Sequence, residues 1–155
     1  MKSLWIAALA LACATPIVAQ TATPPAVDIQ YATPTAGDWA YAKTPSGSEA
    51  SFRDPSGRAQ LTLRCTRATR RVAISKPATG AAPYLSVWTS SLSRNVPTSF
   101  QPATAELVTD LPAFDGVLDA MAFSRGRMGV SASGQPVLVV PSWEEIARVV
   151  EDCRT

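Results

Sequence analysis

The sequence predicts a mainly β domain of the α+β kind, an antiparallel β-sandwich of about eight strands with one short helix and a C-terminal helix. Three observations carry this. Short runs alternating apolar and polar residues recur at close spacing, separated by clusters of Gly, Pro, Asp and Ser. The most completely signed helical pattern is confined to the last stretch of the chain. A cysteine on that pattern matches an inward-facing cysteine in the clearest strand.

Two segments precede the domain. Residues 1–19 read as a secretory signal peptide: Lys2, then the apolar run Leu4 to Ala12, then Ile17-Val18-Ala19 with small or apolar residues at the cleavage spacing. Residues 20–37 are rich in Ala, Thr and Pro, a composition expected to give a flexible, partly extended leader. Residues 38–155 are then a single β-rich domain of ordinary size.

The first strand candidate is Trp39-Ala40-Tyr41-Ala42, and the second runs from Ala50 to Arg53. Asp54-Pro55-Ser56-Gly57 places Asp, Pro and Gly where a type I turn favours them. Ala59 to Cys65 is the clearest strand, with Leu61, Leu63 and Cys65 on one face and Gln60, Thr62 and Arg64 on the other. The polar link Thr66 to Arg70 leads into Arg71 to Ser75, with Val72 and Ile74 inward, which completes a meander with one wet face.

Tyr84 to Ser90 is a further strand, with Leu85 and Val87 opposite Trp88, and a weaker one covers Thr104 to Thr109. Asp115 to Phe123 has helical spacing through Val117, Leu118 and Met121. Arg127 to Ala132 and Pro136 to Val140 form a last hairpin about Ser133-Gly134-Gln135. In the C-terminal helix Ser142 is placed to cap the first amides and Glu145 to complete a capping box. Glu144 favours the positive end of that helix. Trp143, Ile146, Val149, Val150 and Cys153 make one apolar stripe.

Three cysteines are present, and Cys13 leaves with the signal. In an oxidising compartment Cys65 and Cys153 are expected to form a disulfide. It closes a loop of roughly 90 residues, for which chain entropy gives about 4–5 kcal/mol. Lipid anchoring through Cys13 is the alternative to cleavage near Ala19, but Ala10 and Leu11 match a lipoprotein signal poorly. Export implies a periplasmic or secreted protein, and no segment of the mature chain is long and apolar enough to span a bilayer.

The formal charge is only +2, which argues against a nucleic-acid binder. The charge is unevenly spread. Arg53, Arg58, Arg64, Arg67, Arg70, Arg71 and Lys76 face only Asp54 between positions 53 and 76, whereas acids outnumber bases from Thr104 onward. The chain contains no histidine, which excludes Ser-His-Asp and Cys-His catalysis within it. Neither Lys43 nor Lys76 completes a Ser-x-x-Lys pattern. Two distant cysteines give no zinc spacing, so neither metal nor cofactor is expected. Ser124 lacks the preceding glycine of a nucleophile elbow.

Arg58, Arg64, Arg67, Arg70 and Arg71 are therefore the candidate binding residues. Arginine forks suit phosphate and carboxylate groups, and the expected partner is an envelope protein or an anionic polymer or lipid. The competing reading pairs these arginines with the acidic C-terminal half. Asp115 with Asp119, and Glu144 with Glu145, are the carboxylate pairs a hydrolase of envelope substrates would need. Helix-start electrostatics explain them as well, and no catalytic set emerges. A purely structural subunit is the remaining alternative.

Two stretches, Leu118-Asp119-Ala120-Met121-Ala122-Phe123-Ser124-Arg125-Gly126-Arg127 and Pro141-Ser142-Trp143-Glu144 through Glu151-Asp152-Cys153-Arg154, resemble uncharacterised secreted proteins of Gram-negative bacteria. The order of parts over residues 39–154 is similar to the invasion-associated locus B family and to type VI secretion accessory proteins. This architectural resemblance implies a periplasmic β-sandwich and no known activity. The chain lacks the extra cysteine pairs often present in locus B proteins. The expectation is thus a non-catalytic binding or accessory protein of the cell envelope.

Overall fold

The computed structural model describes residues 27–155. The expected signal at 1–19, and Cys13 with it, lie outside the described residues. Ten strands form two antiparallel sheets, accompanied by two α-helices, so the chain is a β-sandwich-like α+β fold. Strands β1 (Asp38–Thr44), β2 (Gly47–Arg53), β3 (Ala59–Thr66) and β4 (Arg71–Pro77) form a meander. Strand β5 (Tyr84–Trp88) starts the second sheet and pairs with β6 (Ser93–Pro97). Strand β7 (Ser99–Gln101) returns to the first sheet, where β8 (Glu106–Pro112) joins it to β4. After helix α1 (Gly116–Ala122), the hairpin β9 (Arg127–Ala132) and β10 (Leu138–Pro141) completes the second sheet beside β5. Helix α2 (Glu144–Asp152) closes the chain against α1 and the β1–β3 end of the first sheet.

The expected inward faces are observed. Leu61, Leu63, Cys65, Val72, Ile74 and Leu85 have no exposed surface, and Val87 only 1 %. Trp39 meets Phe52 edge-on at 5.6 Å and donates from Nε1 to the Pro141 carbonyl, 2.9 Å, tying β1 to the end of β10.

Two strands go beyond the eight expected, β6 and β7. Each contributes one apolar core contact, Val96 and Phe100, with Pro97 between them, too sparse a pattern to read as alternation. Tertiary context supplies the rest. Thr98 donates from its hydroxyl to Ala82 O, 2.6 Å, and from its amide to Pro83 O, 3.2 Å, as the chain crosses from one sheet to the other.

The capping box expected at α2 is not formed. Trp143 takes the N-cap position with no side-chain cap, so Ser142 lies one residue too early. The Ser142 hydroxyl instead donates to Met121 O, 2.7 Å, near the end of α1. Trp143 is also 43 % exposed, so the buried stripe is Ile146, Val149, Val150 and Cys153. Helix α1 does carry a cap: Asp115 Oδ1 accepts from Val117 N at 2.8 Å.

Residues 20–37 are expected to be a flexible leader, yet the described part, from residue 27 onward, is anchored to the second sheet. Ile29 is 5 % exposed and sits over Gly129, where an added methyl would come within 2.9 Å of the Ile29 side chain. Arg127 Nη1 donates to Gln30 O and Ala32 O, at 2.9 and 2.8 Å. Thr35 N donates to Val139 O, 2.8 Å, and the Thr35 hydroxyl accepts from Val139 N, 3.2 Å. The second sheet therefore has no wet outer face along β5: Trp88 is 4 % and Ser86 5 % exposed.

Candidate functional site

The five arginines singled out from the sequence do not form one patch. Arg58 sits at the β2–β3 turn, the far end of the hairpin from the others, where it bridges Asp54 at 3.3 Å. That turn is built as its residues require: Asp54 accepts from Ser56 N, Ser56 Oγ, Arg58 N and Gln60 Nε2. The Ser56 hydroxyl bond above all, with those of Arg58 and Gln60, holds the Asp54 carboxyl down to about 2 against the opposing effect of burial. Arg64 lies on the outer face of the first sheet, bonded through Nε and Nη2 to Glu49 Oε2 on β2, at 2.7 and 2.6 Å.

Arg67, Arg70 and Arg71 surround the β3–β4 turn. A 3-10 turn, Arg67–Thr69, is closed by Arg70, whose amide donates to Arg67 O, 3.1 Å. Arg70 is left-handed, with φ 50°, a conformation that costs a non-glycine residue roughly 1–2 kcal/mol. Its carbonyl is fixed by the Ala113 amide at 2.9 Å. Arg71 opens β4 and bonds to the Asp110 carboxylate and carbonyl on β8. Arg67 Nε reaches the Asp152 carbonyl at 3.5 Å. The exposed side chain of Arg70 makes no hydrogen bond or ion pair among the described residues. Acids of other elements thus engage Arg64 and Arg71, while Arg67 and Arg70 stay free of a carboxylate pair.

Behind this turn lies the clamp of the C-terminal helix. Cys65 and Cys153 are joined, with 5.5 Å between their Cα atoms, at a sequence separation of 88. Beside the disulfide, Tyr41 donates to Asp152 Oδ2 at 2.6 Å, and the Arg148 guanidinium lies 4.3 Å from the Tyr41 ring centre. The bond to Asp152 raises Tyr41. Burial alone would raise Asp152, but the Tyr41 bond and the charges of Arg67 and Lys43 outweigh it, leaving the carboxyl below its ordinary value. Ser48 Oγ, fully buried opposite Cys65, faces this pair closely enough to influence both groups, yet makes no hydrogen bond of normal geometry.

Of the carboxylates a hydrolase would need, Asp115 and Asp119 are engaged, whereas Glu144 is exposed and the buried Oε2 of Glu145 has no hydrogen-bond partner among the described residues. Asp115 meets Arg94 through both of its oxygens, at 2.9 and 3.3 Å, besides capping α1. Asp119 pairs with Arg154, which also bridges Glu151 and lies 5.1 Å from the Phe114 ring centre. Among the described residues no cluster of His, Cys, Asp and Glu could hold a metal ion, and no helix is long and apolar enough to cross a membrane.

Two polar features were not read from the sequence. Lys76 points inward from β4, 8 % exposed, and donates to Gln135 Oε1 at 2.9 Å; burial lowers its pKa. On the opposite, outer face, Ser51, Thr62 and Ser75 stand side by side on β2, β3 and β4. The signal for the second was present: these hydroxyls alternate with Phe52, Leu61, Leu63 and Ile74, which marks them as one face. Comparisons with family models, curated proteins and solved structures found no match to this chain.

Proposed function

We propose that this protein is a non-catalytic binding or accessory module of the cell envelope, exported to the periplasm, that grips an anionic group with Arg67 and Arg70 at the β3–β4 turn. One observation carries this reading. Arg70 keeps a long cationic side chain at a left-handed position where glycine would relieve strain, and that exposed side chain makes no hydrogen bond or ion pair among the described residues. Strain kept at an exposed, unpaired arginine points to an external use of its guanidinium. Arg67 adds a second fork on the same turn, and phosphate or carboxylate is the chemistry such forks recognise. The disulfide and the signal-like N-terminal sequence support an oxidising compartment. The ion pairs that occupy Asp115 and Asp119, and a chain without histidine, support a binding role over a catalytic one.

Charge reversal tests it. The double variant Arg67→Glu/Arg70→Glu is expected to abolish co-sedimentation with vesicles rich in anionic lipid, and binding to an immobilised phosphate polymer, at low salt. Arg70→Gly is expected to weaken both while leaving the fold intact. Unchanged binding by either folded variant would remove the reading. Fractionation of cells carrying the full chain checks the compartment: recovery in the cytosol with two titratable thiols contradicts export.

A further inference from the structure

The outer face of the six-stranded sheet holds a second recess, distinct from the arginine turn. Opposite residues on adjacent strands form rows across it. One row runs Ser51, Thr62, Ser75, Val108 through β2, β3, β4 and β8. Two residues along, about 7 Å away, the next row is Glu49, Arg64, Ala73, Asp110. On the other side stand Arg53 and Ala59, with Glu106 facing Pro77 on the same side of β4 and β8. The centre of this face is thus built of short side chains. Small residues in the middle and charged ones around them leave a hollow of about 310 Å³ floored by Thr62, Ala73 and Ser75.

Its chemistry is specific. Thr62 is 9 % exposed, and its hydroxyl, in the lining of the recess, makes no hydrogen bond among the described residues. Each charged side offers one base and one acid: Arg64 with Glu49 at 2.6 Å, and Arg53 with Glu106. Glu106 itself is only loosely held, by Ser75 Oγ at 3.4 Å. The rim is therefore neutral overall, which disfavours a simple anion or cation. No aromatic ring lines the hollow, so it offers no stacking surface for a sugar ring. The volume lies at the small end of ligand sites. Exposed ion pairs contribute little net stability, so Arg64 can turn from Glu49 to one end of a ligand.

We propose that this recess binds a small zwitterion, an amino acid or short peptide with a free ammonium group and a free carboxylate. Arg64 on one side takes the carboxylate, Glu106 on the other takes the ammonium, and the Thr62 and Ser75 hydroxyls meet the polar atoms between them. This goes beyond the anion-gripping turn and does not depend on it.

Titration calorimetry of the mature protein, at low salt, with alanine and alanyl-alanine distinguishes the free amino acid from the peptide. N-acetyl-alanyl-alanine and alanyl-alanine amide serve as the blocked forms. At least one zwitterion is expected to bind saturably, with a dissociation constant in roughly the tens of micromolar to millimolar range for a ligand of this size. Each blocked form is expected to bind at least about tenfold more weakly, the loss of one charged contact. Glu106→Gln, a change at a half-buried residue outside the apolar core, and Thr62→Val are expected to weaken binding about tenfold and severalfold. Arg70→Gly is expected to leave it unchanged, which separates this site from the arginine turn. The proposal is overturned if neither zwitterion binds, if a blocked form binds as well as its parent, or if folded Glu106→Gln binds as well as the unmodified protein.

Discussion

Tyr41 and Asp152, 111 residues apart, share a 2.6 Å hydrogen bond that ties the edge strand of the large sheet to the last turn of the C-terminal helix. Tyr41 is raised above its ordinary 10.0, so the stability it supplies is complete below that value and is lost as pH rises through its folded pKa. Asp152 is lowered from 3.8, so its share is present above that value and is lost as pH falls through the folded pKa. Tyr41→Phe removes the bond but keeps the ring beneath Arg148. Denaturant titration should show a loss of about 1 kcal/mol at neutral pH and a flatter dependence at both extremes. An unchanged pH profile would contradict the coupling.

The disulfide carries a larger share. Cys65→Ser/Cys153→Ser should lower stability by about 4–5 kcal/mol, the entropy released by opening a loop of this length. That is a large part of the roughly 5–15 kcal/mol typical of a domain. Reduction with dithiothreitol should reproduce the loss in the wild-type chain and have no effect on the double serine variant.

Lys76 works against folding. Its pKa is lowered from 10.5 by burial, so between the lowered value and 10.5 the unfolded chain binds more protons than the folded one. Stability should therefore rise with pH across that window. Lys76→Met keeps the length of the stem and leaves Gln135, which is only part-buried, free to turn to water. It should gain about 1 kcal/mol at neutral pH, the cost of the buried polar head, and flatten the alkaline rise. Thermal melts at several pH values read both effects.

Ile29→Ser should loosen the segment lying over the second sheet. Trp88, now 4 % exposed, would gain access to water. The expected outcome is a red shift and stronger acrylamide quenching of tryptophan emission, with faster proteolysis before residue 37 and little change in the global melting transition.

Arg70→Gly should raise stability by up to about 1 kcal/mol, because the left-handed backbone no longer opposes a Cβ. A fold that melts higher and binds anions less well would separate the role of the backbone from that of the side chain at this residue.

The meander and the disulfide were legible because each rests on local alternation. Leu61, Leu63 and Cys65 announce one buried face, and Cys153 falls on the stripe of Ile146, Val149 and Val150. Strands β6 and β7 were not legible, since Val96 and Phe100 acquire their meaning only from the sheets that receive them. The α2 cap failed because Ser142 fits the motif but stands one residue before the N-cap, Trp143, with its hydroxyl donating to the Met121 carbonyl. The arginine cluster was overdrawn for a related reason. Neighbours in sequence such as Arg64 and Arg67 diverge on a strand and a turn, and Asp110 and Glu49 reach two of the five from other strands.

The segment over the second sheet is held chiefly by its main chain, two carbonyls on Arg127 and one amide on Val139, with anchoring side chains at Ile29 and Thr35. Its path is therefore written in the surface that receives it. Most of the alanines, threonines and prolines there are free to drift over generations without moving it, while a change at Arg127 or Gly129 would be felt at once.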